Sequence, residues 1–202
     1  MSDRYTLYGR QGAGSVAPQI VLETLGIPYD MVWVTKGQAE LPDYLKINPT
    51  GKVPTLVLPD GTTMFESAAI CLHLTNLYSG LSPAITTAAH AKYLQWMVFL
   101  SANLYEALLR VYYSDRYSAA GEAHAEDVKA RAMLQITQHL YLLEANLSPY
   151  LTGEVVSAAD LYLFMLLDWL PQEAHTRFSK ITQLVTEIAK LPAVKTVMAQ
   201  NR

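Results

Sequence analysis

Asn48-Pro49-Thr50-Gly51-Lys52-Val53-Pro54-Thr55-Leu56-Val57-Leu58 continues through Pro59-Asp60-Gly61 into Thr62-Thr63-Met64-Phe65-Glu66-Ser67, and the assignment of the first eighty residues turns on this stretch. Residues 53–58 are rich in β-branched and apolar side chains that suit a pleated surface, so they read as a strand. Pro59 presets φ and Gly61 supplies φ > 0, which makes a turn. Residues 62–65 return antiparallel and close a hairpin. Helical spacing resumes at Glu66, with Ile70, Leu74 and Leu77 on one face. Toward the N-terminus, Tyr5-Thr6-Leu7-Tyr8 is a short strand ended by Gly9. A loop rich in glycine (Gly9, Gly12, Gly14) follows, and Ser15 opens a helix over residues 16–25 that Gly26 closes. Residues 29–34 form a second strand, and residues 41–47 a short helix that stops before Asn48-Pro49. The order is β-α-β, a loop-like segment with this helix, then β-β-α. A parallel pair joined by a helix, plus a hairpin, implies a mixed four-stranded sheet of thioredoxin-like order.

Beyond Ser79-Gly80-Leu81-Ser82-Pro83 no strand pattern remains. Residues 88–117 place Leu94, Met97, Ser101, Leu104, Leu108 and Val111 at helical spacing, and residues 123–147 do the same with Val128, Ala132, Ile136, Leu140, Leu143 and Leu147. Ser157-Ala158-Ala159-Asp160 is a capping-box pattern with Asp in the third place, opening a helix over 158–170 that Pro171 ends. Further helices cover 181–189 and 192–200. The fold class is therefore α/β plus all-α: a thioredoxin-like domain over 1–79, a linker over 80–86 and a helical-bundle domain over 87–202.

The totals narrow the function. Of 202 residues, 51% are hydrophobic and 16% charged, which supports a packed core. The net charge of −3 and the absence of a basic run exclude a phosphate-backbone binder, so no nucleic-acid partner is expected. The single cysteine, Cys71, excludes a disulfide framework within the chain and fits a reducing compartment; its apolar helix makes it a core residue. Met1-Ser2-Asp3-Arg4-Tyr5 lacks the apolar core of a signal peptide. The most apolar stretch, 161–170, is too short for a bilayer and contains Asp168, so no membrane partner is expected and the cytoplasm is the default address. The five histidines show no ligand spacing, and no metal is expected.

Three features carry chemistry. In Gln11-Gly12-Ala13-Gly14-Ser15 a glycine-rich loop meets a helix N-terminus, whose unpaired N–H groups and partial positive charge favour an anion. Ser15 is either a plain N-cap or a hydrogen-bond donor to that anion; no Lys-Ser/Thr pair closes the loop as in a Walker motif. In Gly51-Lys52-Val53-Pro54 the proline at a strand start is either an ordinary trans edge residue or cis. A cis bond would turn the Val53 backbone outward to pair with an extended peptide. Glu66-Ser67, at a helix start directly after a strand, is either a first-turn acid with its neighbour or a clamp for a ligand's α-amino and α-carboxylate groups.

The arrangement Tyr-Thr-Leu-Tyr-Gly…Ser-Val-Ala-Pro, Asn-Pro-Thr-Gly-Lys-Val-Pro-Thr-Leu and Pro-Asp-Gly…Phe-Glu-Ser-Ala-Ala-Ile resembles the glutathione transferase superfamily, and the bacterial beta class in flavour. Gly153, Ser157-Ala158-Ala159-Asp160-Leu161-Tyr162 and Leu191-Pro192-Ala193-Val194 extend the resemblance over nearly the whole chain. It implies that Glu66 and Ser67 hold the γ-glutamyl end of glutathione, and that the cysteinyl backbone pairs with Val53 before Pro54. It places Lys52 and Lys36 at glycyl-carboxylate or γ-glutamyl contacts. It also implies a homodimer with glutathione as co-substrate. Two departures stand out. Gly14 replaces the cysteine of the beta class, which removes mixed-disulfide chemistry, and Tyr105 and Glu106 stand where a His-Lys pair is common. Tyr8 matches a common strand position without matching clearly the tyrosine used by other classes.

The activity implied is conjugation of reduced glutathione to small hydrophobic electrophiles through its thiolate, with Ser15 as the catalytic hydrogen-bond donor. Holding the thiol ionised near neutrality takes about 2–3 kcal/mol of differential stabilisation. A helix end supplies up to ~2 kcal/mol and a hydrogen bond to a charged group about 1.5–3 kcal/mol, so the two together suffice. Tyr105, Leu109 and Tyr112 recur at i, i+4 and i+7, and this face either wells up from the core or walls the electrophile pocket together with Gly14. The alternatives are a non-catalytic binding or scaffold protein of the same fold, and a glutathione-dependent isomerase or dehalogenase.

Overall fold

The structure, a computed structural model, describes residues 4–119 and 121–202; residues 1–3, part of the N-terminal segment read above, and residue 120 lie outside it. The chain divides into two compact units, residues 1–82 with 188–202, and residues 83–187. Residues 188–202, assigned from sequence to the helical domain, group instead with the first unit.

In the first unit the strands are β1 (Tyr5–Gly9), β2 (Tyr29–Trp33), β3 (Thr55–Val57) and β4 (Thr63–Phe65), in the order β2-β1-β3-β4. β1 pairs parallel with β2 and antiparallel with β3, and β3 pairs antiparallel with β4, as the hairpin reading requires. Leu7 and Leu56 stand opposite one another in the central pair and are both fully buried. The main helical core of this unit comes from three helices. α1 (Val16–Thr24) buries Val16, Ala17, Ile20, Val21 and Leu22. The helix numbered α4 below (Ser67–Leu77) buries Ile70, Cys71 and Leu74, and the C-terminal helix (Pro192–Gln200) buries Val194 and Val197. The C-terminal helix lies along α1, and polar chemistry fixes it there. Gln19 of α1 is fully buried, and its Nε2 donates to Gln200 Oε1 (2.7 Å) while its Oε1 accepts from Asn201 Nδ2 (2.8 Å). A buried amide left unpaired is costly, so the C-terminal residues complete this unit.

Around Tyr8 a second cluster forms from Val34, Ala39 and Tyr44, with Tyr8 and Val53 packed against it. It involves two short helices, α2 (Lys36–Ala39) and α3 (Pro42–Ile47), where the sequence reading has one. The missed turn is set by Thr35 and Gln38: Gln38 N donates to Thr35 Oγ1 (3.3 Å) and Thr35 N to Gln38 Oε1 (2.8 Å). A reciprocal cap of this kind holds a single turn too short to show periodicity.

The second unit contains α5 (Ala88–Phe99), α6 (Glu106–Tyr112), α7 (Ala125–Asn146), α8 (Ala158–Asp168), α9 (Gln172–His175) and α10 (Ser179–Ile188); the C-terminal helix is α11. The helix read over 88–117 is interrupted by a π-helical stretch, Leu100–Tyr105, and ends in a 3₁₀ turn, Ser114–Tyr117. α8 is buried from Ala158 through Leu167. At its start the buried Asp160 carboxylate accepts from Leu151 N (2.8 Å), Ser157 N (2.8 Å) and Ser157 Oγ (2.7 Å), which ties the preceding loop to the helix. α10 begins on Glu144 of α7, whose carboxylate accepts from Lys180 N and Ile181 N (both 3.0 Å) and from Ser179 Oγ (3.2 Å). Among the described residues no helix is long and apolar enough to cross a membrane.

Candidate functional site

Strand register brings the three sequence features to one end of the sheet. Thr55 pairs with Phe65 and with Tyr8. One residue further along each strand, Pro54 therefore stands beside Glu66 on one side and Gly9 on the other, with neighbouring strands about 4.8 Å apart. Gly9 in turn is opposite Trp33 of β2. The loop from Gly9 to Ser15 leaves this same end and leads into the N-terminus of α1.

The segment before β3 is held by a polar network that the sequence reading missed. Tyr44 Oη donates to Lys52 O (2.8 Å), and Asn48 Nδ2 donates to both Lys52 O (2.8 Å) and Thr55 Oγ1 (2.9 Å). The Tyr44 proton being committed, the 2.9 Å contact between Tyr44 Oη and Thr55 Oγ1 has threonine as donor. Asn48 Oδ1 accepts from Thr50 N (3.0 Å) and Thr50 Oγ1 (2.7 Å), so the asparagine is fully satisfied. The Lys52 carbonyl is thereby turned inward, and the Val53–Pro54 peptide that follows is cis. Val53 is half-buried, Pro54 buried and Lys52 exposed. Burial raises the Tyr44 pKa, with the bonds from Thr55 and Asn48 opposing it, so the phenol keeps its proton and its donor role. The signal in the sequence was Tyr44 and Asn48 at i, i+4, which puts both polar tips on one side of α3.

Glu66 is the only described non-glycine residue with positive φ, at +70°. Such a backbone costs about 1–3 kcal/mol and is held only where the surroundings fix it, as at ligand clamps. Helix α4 starts one residue later than the sequence reading has it, at Ser67. Ser67 is buried and Glu66 exposed. Lys36, at the first position of α2, is exposed.

Ser15 lies at the turn from the loop over residues 9–15 into α1. It is fully buried, and its hydroxyl donates to Arg10 O (3.0 Å) while accepting from Arg10 N (3.1 Å). It makes no side-chain cap bond to α1. The hydroxyl proton goes to a backbone carbonyl, and the two bonds to Arg10 staple the loop. Gly9 makes room for it: a Cβ there would lie 2.6 Å from Ser15 Oγ and 2.5 Å from Met31 Cε. Gly14 is likewise buried at this turn.

In the second unit Tyr105, Leu109 and Tyr112 share a face. Tyr105 lies in the π-helical stretch and meets the Trp169 ring edge-on at 5.0 Å, and Tyr112 Oη donates to Trp169 O. Tyr105 and Leu109 are half-buried and Tyr112 exposed, so the stripe is part core and part surface. Burial raises the Tyr112 pKa, helped by Asp168. Cys71 is fully buried and burial pushes its thiol far up, which leaves it unreactive. No cluster of three or more metal-ligating side chains occurs among the described residues. A surface depression of about 300 Å³ lined by Arg4, Leu22, Glu23, Gly26 and Tyr29 lies at the opposite end of β1 and shares no residue with the constellation above.

Comparison with known proteins bears on this geometry. The chain matches the glutathione S-transferase N-terminal domain over residues 17–77 and the glutathione S-transferase C-terminal domain over residues 103–201. Glutathione S-transferase GST-4.5 of Xanthomonas campestris is 30% identical over 170 residues, covering 81% of each chain. A glutathione transferase homolog from Sulfitobacter, solved with bound glutathione, has a TM-score of 0.89 at 29% identity, covering 98% of this chain and 99% of that one. A sphingomonad glutathione S-transferase complexed with glutathione has a TM-score of 0.84 at 28% identity, covering 97% and 98%. With both halves of the chain matched, this protein belongs to the glutathione transferase superfamily.

Proposed function

We propose that the first unit binds reduced glutathione in an extended form across the sheet end and transfers it to small hydrophobic electrophiles. The observation that carries this reading is the convergence of Val53-Pro54 with Glu66 and Ser67, brought side by side by the β3–β4 register and accompanied by the +70° φ of Glu66. In this account the cysteinyl backbone pairs with Val53, the γ-glutamyl end meets Glu66 and Ser67, and Lys52 and Lys36 supply positive charge at the rim. The sulfur then faces the start of α1. With Ser15 occupied, the anionic sulfur is served by the amides and dipole of the α1 N-terminus, worth up to ~2 kcal/mol in a partly buried setting. Tyr105, Leu109 and Tyr112 are the electrophile-facing candidates of the second unit. Two copies associate as a homodimer, and the exposed Phe65 and Leu77 of the first unit are available for such a contact.

The occupied hydroxyl of Ser15 favours a second reading, a binder that holds glutathione without conjugating it. Titration calorimetry with reduced glutathione, paired with turnover of a generic aryl halide, separates the two. Heat with turnover supports the transferase, heat without turnover supports the binder, and no heat removes both. Sedimentation of the purified protein tests the homodimer.

A further inference from the structure

We infer that Tyr44 and Asn48 are positioning residues, which together aim the Val53 N–H at the cysteinyl carbonyl of the bound tripeptide; this rests on the glutathione reading above. The peptide between Lys52 and Val53 is trans, since Val53–Pro54 is the only cis bond among the described residues. In a trans peptide the C=O and the N–H of the next residue point in opposite directions. Two donors, Tyr44 Oη and Asn48 Nδ2, hold the Lys52 carbonyl at 2.8 Å each. The Val53 N–H is therefore turned away from both of them. Among the described residues neither that N–H nor the Val53 C=O has a hydrogen-bond partner. Val53 is half-buried, and backbone groups away from water are nearly always paired, so an extended peptide meets both a donor and an acceptor here.

The two side chains that set this direction are themselves firmly held. Tyr44 and Asn48 are 6% and 1% exposed and stand one turn apart at the end of α3. The Asn48 amide fits only one way round: its Oδ1 faces the Thr50 N–H, which can only donate, so its Nδ2 faces Lys52 O. The other Asn48 donor and the Tyr44 hydroxyl meet on Thr55 Oγ1, at 2.9 Å each. Thr55 is fully buried and lies two residues past Val53. Residues 52 and 55 are thus fixed by the same pair of side chains, while the Val53 side chain packs against the cluster of Val34, Ala39 and Tyr44. Bracketed in this way, the Val53 N–H is aligned when the protein folds, and ligand binding does not bear the ordering cost.

The test is a titration of wild type, Tyr44→Phe and Asn48→Ala with reduced glutathione and with an analogue whose cysteinyl–glycyl amide is replaced by a trans-alkene. The analogue keeps the thiol and both charged ends but lacks the cysteinyl carbonyl. Its missing glycyl N–H weighs on wild type and variants alike, so the change in the ratio reports the carbonyl. Wild type is expected to prefer glutathione by about five- to ten-fold. Tyr44→Phe keeps the ring and removes one of the two donors on Lys52 O, and should narrow the preference to about two-fold by weakening glutathione alone. Asn48→Ala should act in the same sense; it also frees the Thr50 turn, so Tyr44→Phe decides alone if that variant does not fold. A preference unchanged in Tyr44→Phe, even with a lower melting temperature, means that the hydroxyl only supports the fold and overturns the inference. Wild type that binds both ligands equally well also overturns it, while leaving the glutathione reading intact. If wild type takes up neither ligand, the glutathione reading itself fails and the inference falls with it.

Discussion

The Ser15 hydroxyl has one proton, and the Arg10 carbonyl receives it. The sequence offered two readings of this residue, helix cap and anion donor; Ser15 does take the N-cap position of α1, with its hydroxyl turned to the loop and not to the helix. Ser15→Ala is expected to leave any glutathione thiolate absorbance unchanged while destabilising the protein by about 1–3 kcal/mol, because the Arg10 amide and carbonyl lose a buried partner. Chemical denaturation and ultraviolet difference spectra check the two halves of that statement. Glu66 presents the opposite balance. Its positive φ is compatible with glycine at no steric cost, so Glu66→Gly should raise stability by about 1 kcal/mol. The same change removes the carboxylate proposed to meet the γ-glutamyl amine, so glutathione affinity should fall. A variant that is both less stable and equally tight in binding would contradict the assignment. That Glu66 and Ser67 belong to a site was legible as a motif; that the backbone there is strained was not, because strain comes from what surrounds a residue.

Hairpin, crossover helix and the order of elements along the chain followed from local chemistry: the Pro59-Asp60-Gly61 turn, the apolar runs and the helix stops. Elements whose definition is not local were missed. The turn over Lys36–Ala39 is too short for periodicity, and the π-helical stretch Leu100–Tyr105 keeps the apolar spacing of an ordinary helix while changing its pitch. The start of α10 is also set from a distance, by Glu144 on α7. Burial works against ionisation of Glu144, but the amides of Lys180 and Ile181 with the Ser179 hydroxyl outweigh it, so its pKa is lowered. A depressed folded-state pKa gives stability that is present above the unfolded value of about 4.3 and is lost as pH falls through the folded one. Glu144→Gln should therefore lower stability at neutral pH and flatten its decline below about pH 4.3. Denaturation midpoints measured from pH 7 down to pH 3 would read this out, and an unchanged slope in the variant would sink it.

Across the whole molecule, residues distant in the chain meet in the first unit through Gln19, Gln200 and Asn201. Asn201→Ala strands Gln19 Oε1 in a fully buried position, and should cost about 1–3 kcal/mol. Thermal unfolding followed by tyrosine and tryptophan signals tests it; a loss of a few tenths would mean that the Asn201–Gln19 contact does not hold α11 in place. The assignment of residues 188–202 to the sheet unit has this cause, and no boundary signal near residue 80 could have revealed it. By itself the sequence determined the α/β-then-helical order, the existence of the hairpin and the family motifs, because turns, caps and periodicity act over a few residues. Only the tertiary structure decided which polar groups were already satisfied. It committed Ser15 to the loop and tied Lys52 through Tyr44 and Asn48, because hydrogen-bond partners are assigned by proximity in space, where residues far apart in the chain compete for the same donor.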